Sequence, residues 1–86
     1  MTETTAIRRK RLRHRSRYRG FLESDLLLER FVDSRLDELD DQQLDQLEAL
    51  LDEADGDLWA WVTGQAPVPA RHDNEVLAML RASGRR

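Results

Sequence analysis

At 86 residues, with no cysteine and 36% charged side chains, the chain is expected to form a single domain over residues 1–86 around one economical core, without disulfides or thiolate metal sites. The formal net charge of −3 hides a reversal of sign: eight Arg and Lys oppose one acid in residues 1–19, and fourteen acids oppose two arginines in residues 20–57, giving local charges of +7 and −12. No run of about 18 apolar residues is present to span a membrane, and His14 and His72 lack zinc-ligand spacing.

Apolar residues recur at helical spacing throughout, and strand-like alternation is absent, so the expected class is all-α, a compact five-helix bundle. The first helix is expected over about residues 4–17. It is poor in apolar groups, with Ile7, Leu12 and Tyr18 alone, while Arg8, Arg11, Arg15 and Arg19 follow one side of it. So thin an apolar face points to charges that contact a partner. Gly20 can adopt φ > 0 and is a natural end for this helix.

A second helix is expected from Phe21 or Asp25 to Leu36, with Leu28, Val32, Leu36 and Leu39 in one stripe, widened by Leu27 and Phe31. Glu23 and Asp25 suit the positive end of its dipole. The third runs from about Asp41 to Glu53, with Asp40 and Gln43 as a capping box, Leu44, Leu47, Leu51 and Ala54 buried, and Asp41, Asp45, Glu48 and Asp52 solvated. Asp55 or Asp57 is expected to cap a fourth helix, in which Leu58, Trp61 and Val62 share a core face and Gly64 ends the element. Trp59, two positions from Trp61, must face elsewhere and is the candidate for a partly exposed aromatic. After Pro67 and Pro69, a last helix is expected over about residues 70–82 with Val76, Leu77 and Leu80 inward, then a frayed tail over 83–86.

The most specific stretch lies where the charge changes sign: Arg19-Gly20-Phe21-Leu22-Glu23-Ser24-Asp25, or R-G-x-x-E-x-D. Taken alone, Arg19 and Glu23 are an i, i+4 pair of the kind that steadies a helical turn, Gly20 is a cap, and Asp25 suits either a cap or a contact. Together with the Leu26 to Leu39 pattern, the Leu44 to Leu51 stripe and the segment Asp55-Gly56-Asp57-Leu58-Trp59-Ala60-Trp61-Val62-Thr63-Gly64, the motif resembles the SdhE-type FAD assembly factors. Many members of that family carry Arg where Tyr18 stands, Met where Phe21 stands and Leu where Ser24 stands.

The resemblance implies a helper that binds the flavoprotein subunit of succinate dehydrogenase, with fumarate reductase as a related target, and promotes covalent attachment of FAD. In such flavoproteins a histidine of the target attacks the 8α-methyl carbon of the flavin, so the helper needs no cofactor of its own and is not an enzyme. The implied binding residues are Arg19, Gly20, Glu23 and Asp25, joined by Arg8, Arg11 and Arg15 of the basic helix. A glycine beside a fork-shaped guanidinium lets another backbone approach while the guanidinium pairs with a carboxylate or carbonyl. The corresponding segment in the family is a folded helix, which favours a structural role for residues 1–19 over a mitochondrial transit peptide. The expected location is the cytoplasm, or the mitochondrial matrix for a eukaryotic source.

A basic-arm nucleic-acid-binding or antitoxin-like regulator is the alternative. Against it stand the acidic second half, which repels phosphates, and the lack of aromatics among the basic residues beyond Tyr18. Ile7 and Leu12 are too little apolar surface for a membrane-surface helix. No nucleophile with an adjacent base appears, the four glycines are too scattered for a phosphate loop, and Asp37, Asp40, Asp41 and Asp45 lack the glycine and closing Glu of a calcium loop.

Overall fold

A computed structural model describes residues 3–17, 20 and 22–84. Five α-helices and two short 3-10 turns account for the regular structure among these residues, and no strand occurs. The first helix, α1 (Thr5–Arg15), is started by Thr4, whose hydroxyl accepts from the Ile7 N–H at 3.2 Å. Leu12 is its one buried apolar residue, and Ile7 is exposed. α2 (Leu22–Arg35) buries Leu27, Leu28, Phe31 and Val32, and a 3-10 turn (Leu36–Glu38) carries Leu36 and Leu39 into the same core.

α3 (Asp41–Leu51) opens on the expected capping box, with Gln43 N–H donating to Asp40 Oδ1 at 2.8 Å and Asp40 N–H donating to Gln43 Oε1 at 3.0 Å. Leu44, Leu47 and Leu51 are buried as expected, and so is Leu50. Ala54 is not. The helix ends at Leu51, and Ala54 becomes the extended N-cap of α4 (Asp55–Thr63), exposed, its carbonyl accepting from Leu58 N–H at 3.1 Å. Neither Asp55 nor Asp57 caps α4; both lie in its first turn, where their charge meets the positive end of the dipole. Gly64 closes the helix at φ +79, and the Gln65 N–H reaches back to the Ala60 carbonyl at 2.8 Å, the pattern of a left-handed glycine stop.

The last helix starts later than the apolar spacing predicts. Residues Ala70–His72 form a 3-10 turn, and Asn74 then starts α5 (Glu75–Gly84): its side-chain oxygen accepts from Leu77 N–H at 3.2 Å and its carbonyl from Ala78 N–H at 3.1 Å. An asparagine cap competes with helix continuation from the N-terminal side. Ser83 and Gly84 remain helical, and the rest of the expected tail lies outside the described residues.

α5 packs against α2, α3 and α4, and Val76, Leu77 and Leu80 enter the common core. The connection from α4 is pinned by His72, a buried residue that the sequence reading weighed only as a zinc ligand. Its Nε2 lies 2.6 Å from Glu53 Oε2, and its ring lies on Trp61 with centroids 5.2 Å apart. Arg71 donates to the same Glu53 oxygen at 3.0 Å. α1 sits outside this arrangement and touches only α3 and the Leu36–Glu38 turn substantially. Because Leu80 is completely buried where three helices meet α5, Leu80→Ala should cost about 2–5 kcal/mol in denaturant unfolding, while exposed Leu26→Ala should stay within about 0.5 kcal/mol of the parent.

Candidate partner-binding site

The turn between α1 and α2 carries the motif. Ser16 closes α1, its hydroxyl donating to the Leu12 carbonyl at 2.8 Å, and Gly20 then takes φ +95, the left-handed conformation expected of it. The Gly20 N–H donates to Asp25 Oδ2 at 3.2 Å. Asp25 is thus tied to the turn, while Glu23, also in the first turn of α2, is exposed beside it. A Cβ on Gly20 would meet no atom of the other described residues within 4 Å, so among them the space in front of this glycine is open. Tyr18, Arg19 and Phe21 lie outside the described residues, and the expected pairing of Arg19 with Glu23 lies there with them.

Beside the turn, α2 exposes two leucines one helical turn apart. Leu22 is 68% and Leu26 55% exposed, although the core stripe of the same helix is fully covered. Glu23, Leu26, Leu27, Arg30 and Trp59 line a shallow groove of about 210 Å³ next to them. Trp59 is half-buried, its ring partly packed on the core from α4. The sequence flagged Trp59 but not Leu22, Leu26 or Arg30. The available signal was that Leu22 and Leu26 are out of phase with Leu28 and Val32. Ser24, on the inner side of the same helix, is completely buried with no partner for its hydroxyl among the described residues.

Arg8, Arg11 and Arg15 do not stand free on α1. They face α3, whose Asp45, Glu48 and Asp52 repeat the same i, i+3, i+7 spacing. Arg8 pairs with Asp45 and with Glu48 (3.1 Å), Arg11 with Glu48 (2.8 Å) and Glu3 (2.8 Å), and Arg15 with Asp52 (2.7 Å). Arg15 also donates to the Leu51 carbonyl at 3.2 Å, satisfying a group at the negative end of α3. Of the acids expected to be solvated, Asp41 is exposed, Asp45 and Asp52 are largely exposed but paired within the chain, and Glu48 is drawn into the contact. The Arg11 hydrogen bond, helped by Arg8, holds the Glu48 carboxyl below its ordinary value against the opposing cost of burial. Hydrogen bonds to Asp45 and Glu48 raise Arg8, and those to Glu3 and Glu48 raise Arg11. The Arg11 and Arg15 side chains remain partly exposed, at 38% and 33%, while Arg8 is more covered at 19%.

Among the described residues no group of three or more His, Cys, Asp and Glu is gathered to hold a metal, and no helix is long and apolar enough to cross a membrane. The sequence model of a protein family described as flavinator of succinate dehydrogenase matches residues 10–83. Relatives described as succinate dehydrogenase assembly factor 2, mitochondrial, include those of Meyerozyma guilliermondii, 48% identical over 83 residues, and Scheffersomyces stipitis, 45% identical over 83 residues. Each alignment covers 92% of this chain, against 62% and 56% of the respective relatives. The Aedes aegypti protein is 37% identical over 81 residues, covering 92% of this chain and 50% of its own length. The chain thus spans between half and two thirds of these relatives.

Two substitutions test the geometry. Gly20→Ala should cost roughly 1 kcal/mol through its positive φ rather than through a clash, a loss readable as a lower midpoint in urea. Glu48→Gln should remove roughly 1 kcal/mol, lowering Tm by about 4–8 °C near neutral pH. Since the folded Glu48 carboxyl lies below its ordinary 4.5, this stabilisation is full above 4.5 and disappears as pH falls through the lowered folded value, so the Tm curves of parent and variant should converge in acid.

Proposed function

The chain belongs to the family of flavinators of succinate dehydrogenase, and on that premise we propose that it is an FAD assembly factor that binds the flavoprotein subunit of that enzyme and promotes covalent attachment of the flavin. The observation that carries this reading is the family match over residues 10–83, which spans the whole turn from Arg19 to Asp25. The related flavoprotein of fumarate reductase is a second target on the same reading. The chain acts as a non-enzymatic helper in the cytoplasm or, in a eukaryote, the mitochondrial matrix. It uses no cofactor of its own, the FAD being attached to the partner.

In the proposed complex, Arg19, Gly20, Glu23 and Asp25 form the contact edge. The open space before Gly20 admits a partner backbone, and Asp25 keeps the turn in place while Glu23 points its charge outward. Leu22, Leu26 and Trp59 supply apolar area beside those polar groups, the mixture in which a few anchors dominate binding. Arg8, Arg11 and Arg15 join the surface through their exposed edges and can exchange an internal carboxylate for one from the partner. The chemistry of attachment belongs to the flavoprotein. The helper accelerates it by binding more tightly to the conformer in which histidine and flavin are aligned, since a ligand shifts an equilibrium only by its differential affinity.

In a strain lacking this protein, the flavoprotein polypeptide should be present but deficient in covalent flavin, as read by in-gel fluorescence. The parent gene should restore the signal. Arg19→Ala and Glu23→Ala should not, while each keeps a cooperative thermal transition within a few degrees of the parent. Undiminished covalent flavin in the deletion strain would remove the functional reading. Full restoration by both variants would remove the site assignment and leave the function standing.

A further inference from the structure

α1 has a second cationic face, opposite the one that α3 covers. Lys10, Arg13 and His14 lie on it, Arg17 follows two residues past its end, and their side chains line a shallow groove of about 250 Å³. A second groove of about 280 Å³ continues along Ala6, Arg9, Lys10 and Arg13 to Asp37. On the inner face, three arginines meet four carboxylates, Asp45, Glu48, Asp52 and Glu3, and each arginine has at least one. The outer face has no such balance: Arg13 pairs with Asp33 at 3.0 Å and Asp37 at 4.0 Å, Arg17 shares Asp33 at 3.5 Å, and among the described residues no carboxylate pairs with Lys10 or His14.

We propose that the outer face of α1, centred on Lys10, Arg13, His14 and Arg17, is a docking surface for an acidic helical segment of the flavoprotein, an inference that rests on the functional reading above. The chain itself supplies the template for this fit. Asp45, Glu48 and Asp52 show that carboxylates at i, i+3 and i+7 on one helix match cations at i, i+3 and i+7 on α1. Lys10, Arg13 and Arg17 repeat that cationic spacing on the side facing away from α3, where a single α2 carboxylate, Asp33, is shared by Arg13 and Arg17 and none among the described residues meets Lys10. An acidic helical segment fits this face better than a nucleic acid, because carboxylates spaced by helical turns can meet the cations singly, as those of α3 do, whereas a continuous phosphate backbone would also run past Asp33 and Asp37. Charge complementarity of this kind steers encounter and sets orientation, and it weakens with salt.

The test uses Lys10→Glu combined with His14→Gln, two side chains with no carboxylate partner among the described residues, so the exchange leaves the internal ion pairs in place. The thermal midpoint should match the parent. Affinity for the purified flavoprotein subunit should fall about tenfold at low ionic strength, with the gap narrowing at high salt. A double variant that binds as tightly as the parent at both salt concentrations, while the parent raises covalent flavin, would overturn the docking face and leave the function in place. A parent chain that neither binds the flavoprotein nor raises covalent flavin would overturn the functional reading and this inference with it. Binding of a short DNA duplex by the parent that matches its flavoprotein binding and is lost in the double variant would assign the face to nucleic acid instead.

Discussion

The clasp between the arginines of α1 and the carboxylates of α3 fixes where everything around the motif sits. α1 has eleven residues, too few for an isolated helix to be stable in water, and contributes one fully buried leucine. That leucine supplies ~1.5–3 kcal/mol at most. The remaining hold on α1 is polar: arginines 8, 11 and 15 on α3, Arg9 donating to the Leu39 carbonyl at 2.8 Å, and Arg13 on Asp33. Since the Gly20 turn connects α1 to α2, the direction from which the chain enters that turn is set by the clasp. The strong dipole visible in the composition is thus mostly closed on itself, and the modest net charge reflects neighbours that meet in space.

Helices and core positions were legible because the physics that sets them is local. The Leu28 to Leu39 stripe, the Asp40 and Gln43 box and the Gly64 stop depend on spacings of a few residues, and each appears where the spacing puts it. The failures also have local causes. Ala54 was in phase with the α3 stripe, but the helix ends one turn earlier. Residues 70–74 were expected to open the last helix, but Asn74 provides a cap that holds the start at Glu75. What sequence could not supply is reach across the chain. Arg8 and Asp45 are 37 positions apart, and a flexible arginine looks identical in sequence whether it meets a carboxylate of its own chain or of another.

Much the same division runs through the site. Gly20 was legible by its need for positive φ, and Glu23 and Asp25 by the motif they share with it. Leu22 and Leu26 were not, because hydrophobic periodicity assigns apolar residues to the core by default, and only their phase relative to Leu28 and Val32 marks them as outward. Trp59 was constrained by Trp61: once Trp61 is in the core, a residue two positions away on a helix must look toward a different neighbour, here the groove beside Glu23 and Arg30.

An assembly factor that works by binding has to let go, because its target must afterwards join other subunits. On the proposed reading, the surface suits that requirement. The apolar area beside the motif is small, with two leucines and part of a tryptophan, while the charged area on α1 is extended and solvent-facing. Buried apolar anchors chiefly set the dissociation rate, and solvent-facing charges chiefly set the encounter rate. A few anchors with a wide charged flank therefore give fast capture without a long-lived complex. The internal carboxylates of α3 sharpen the effect: a partner acid that approaches Arg11 or Arg15 competes with Glu48 or Asp52 for a guanidinium already satisfied, so each such contact adds little net affinity while still fixing orientation.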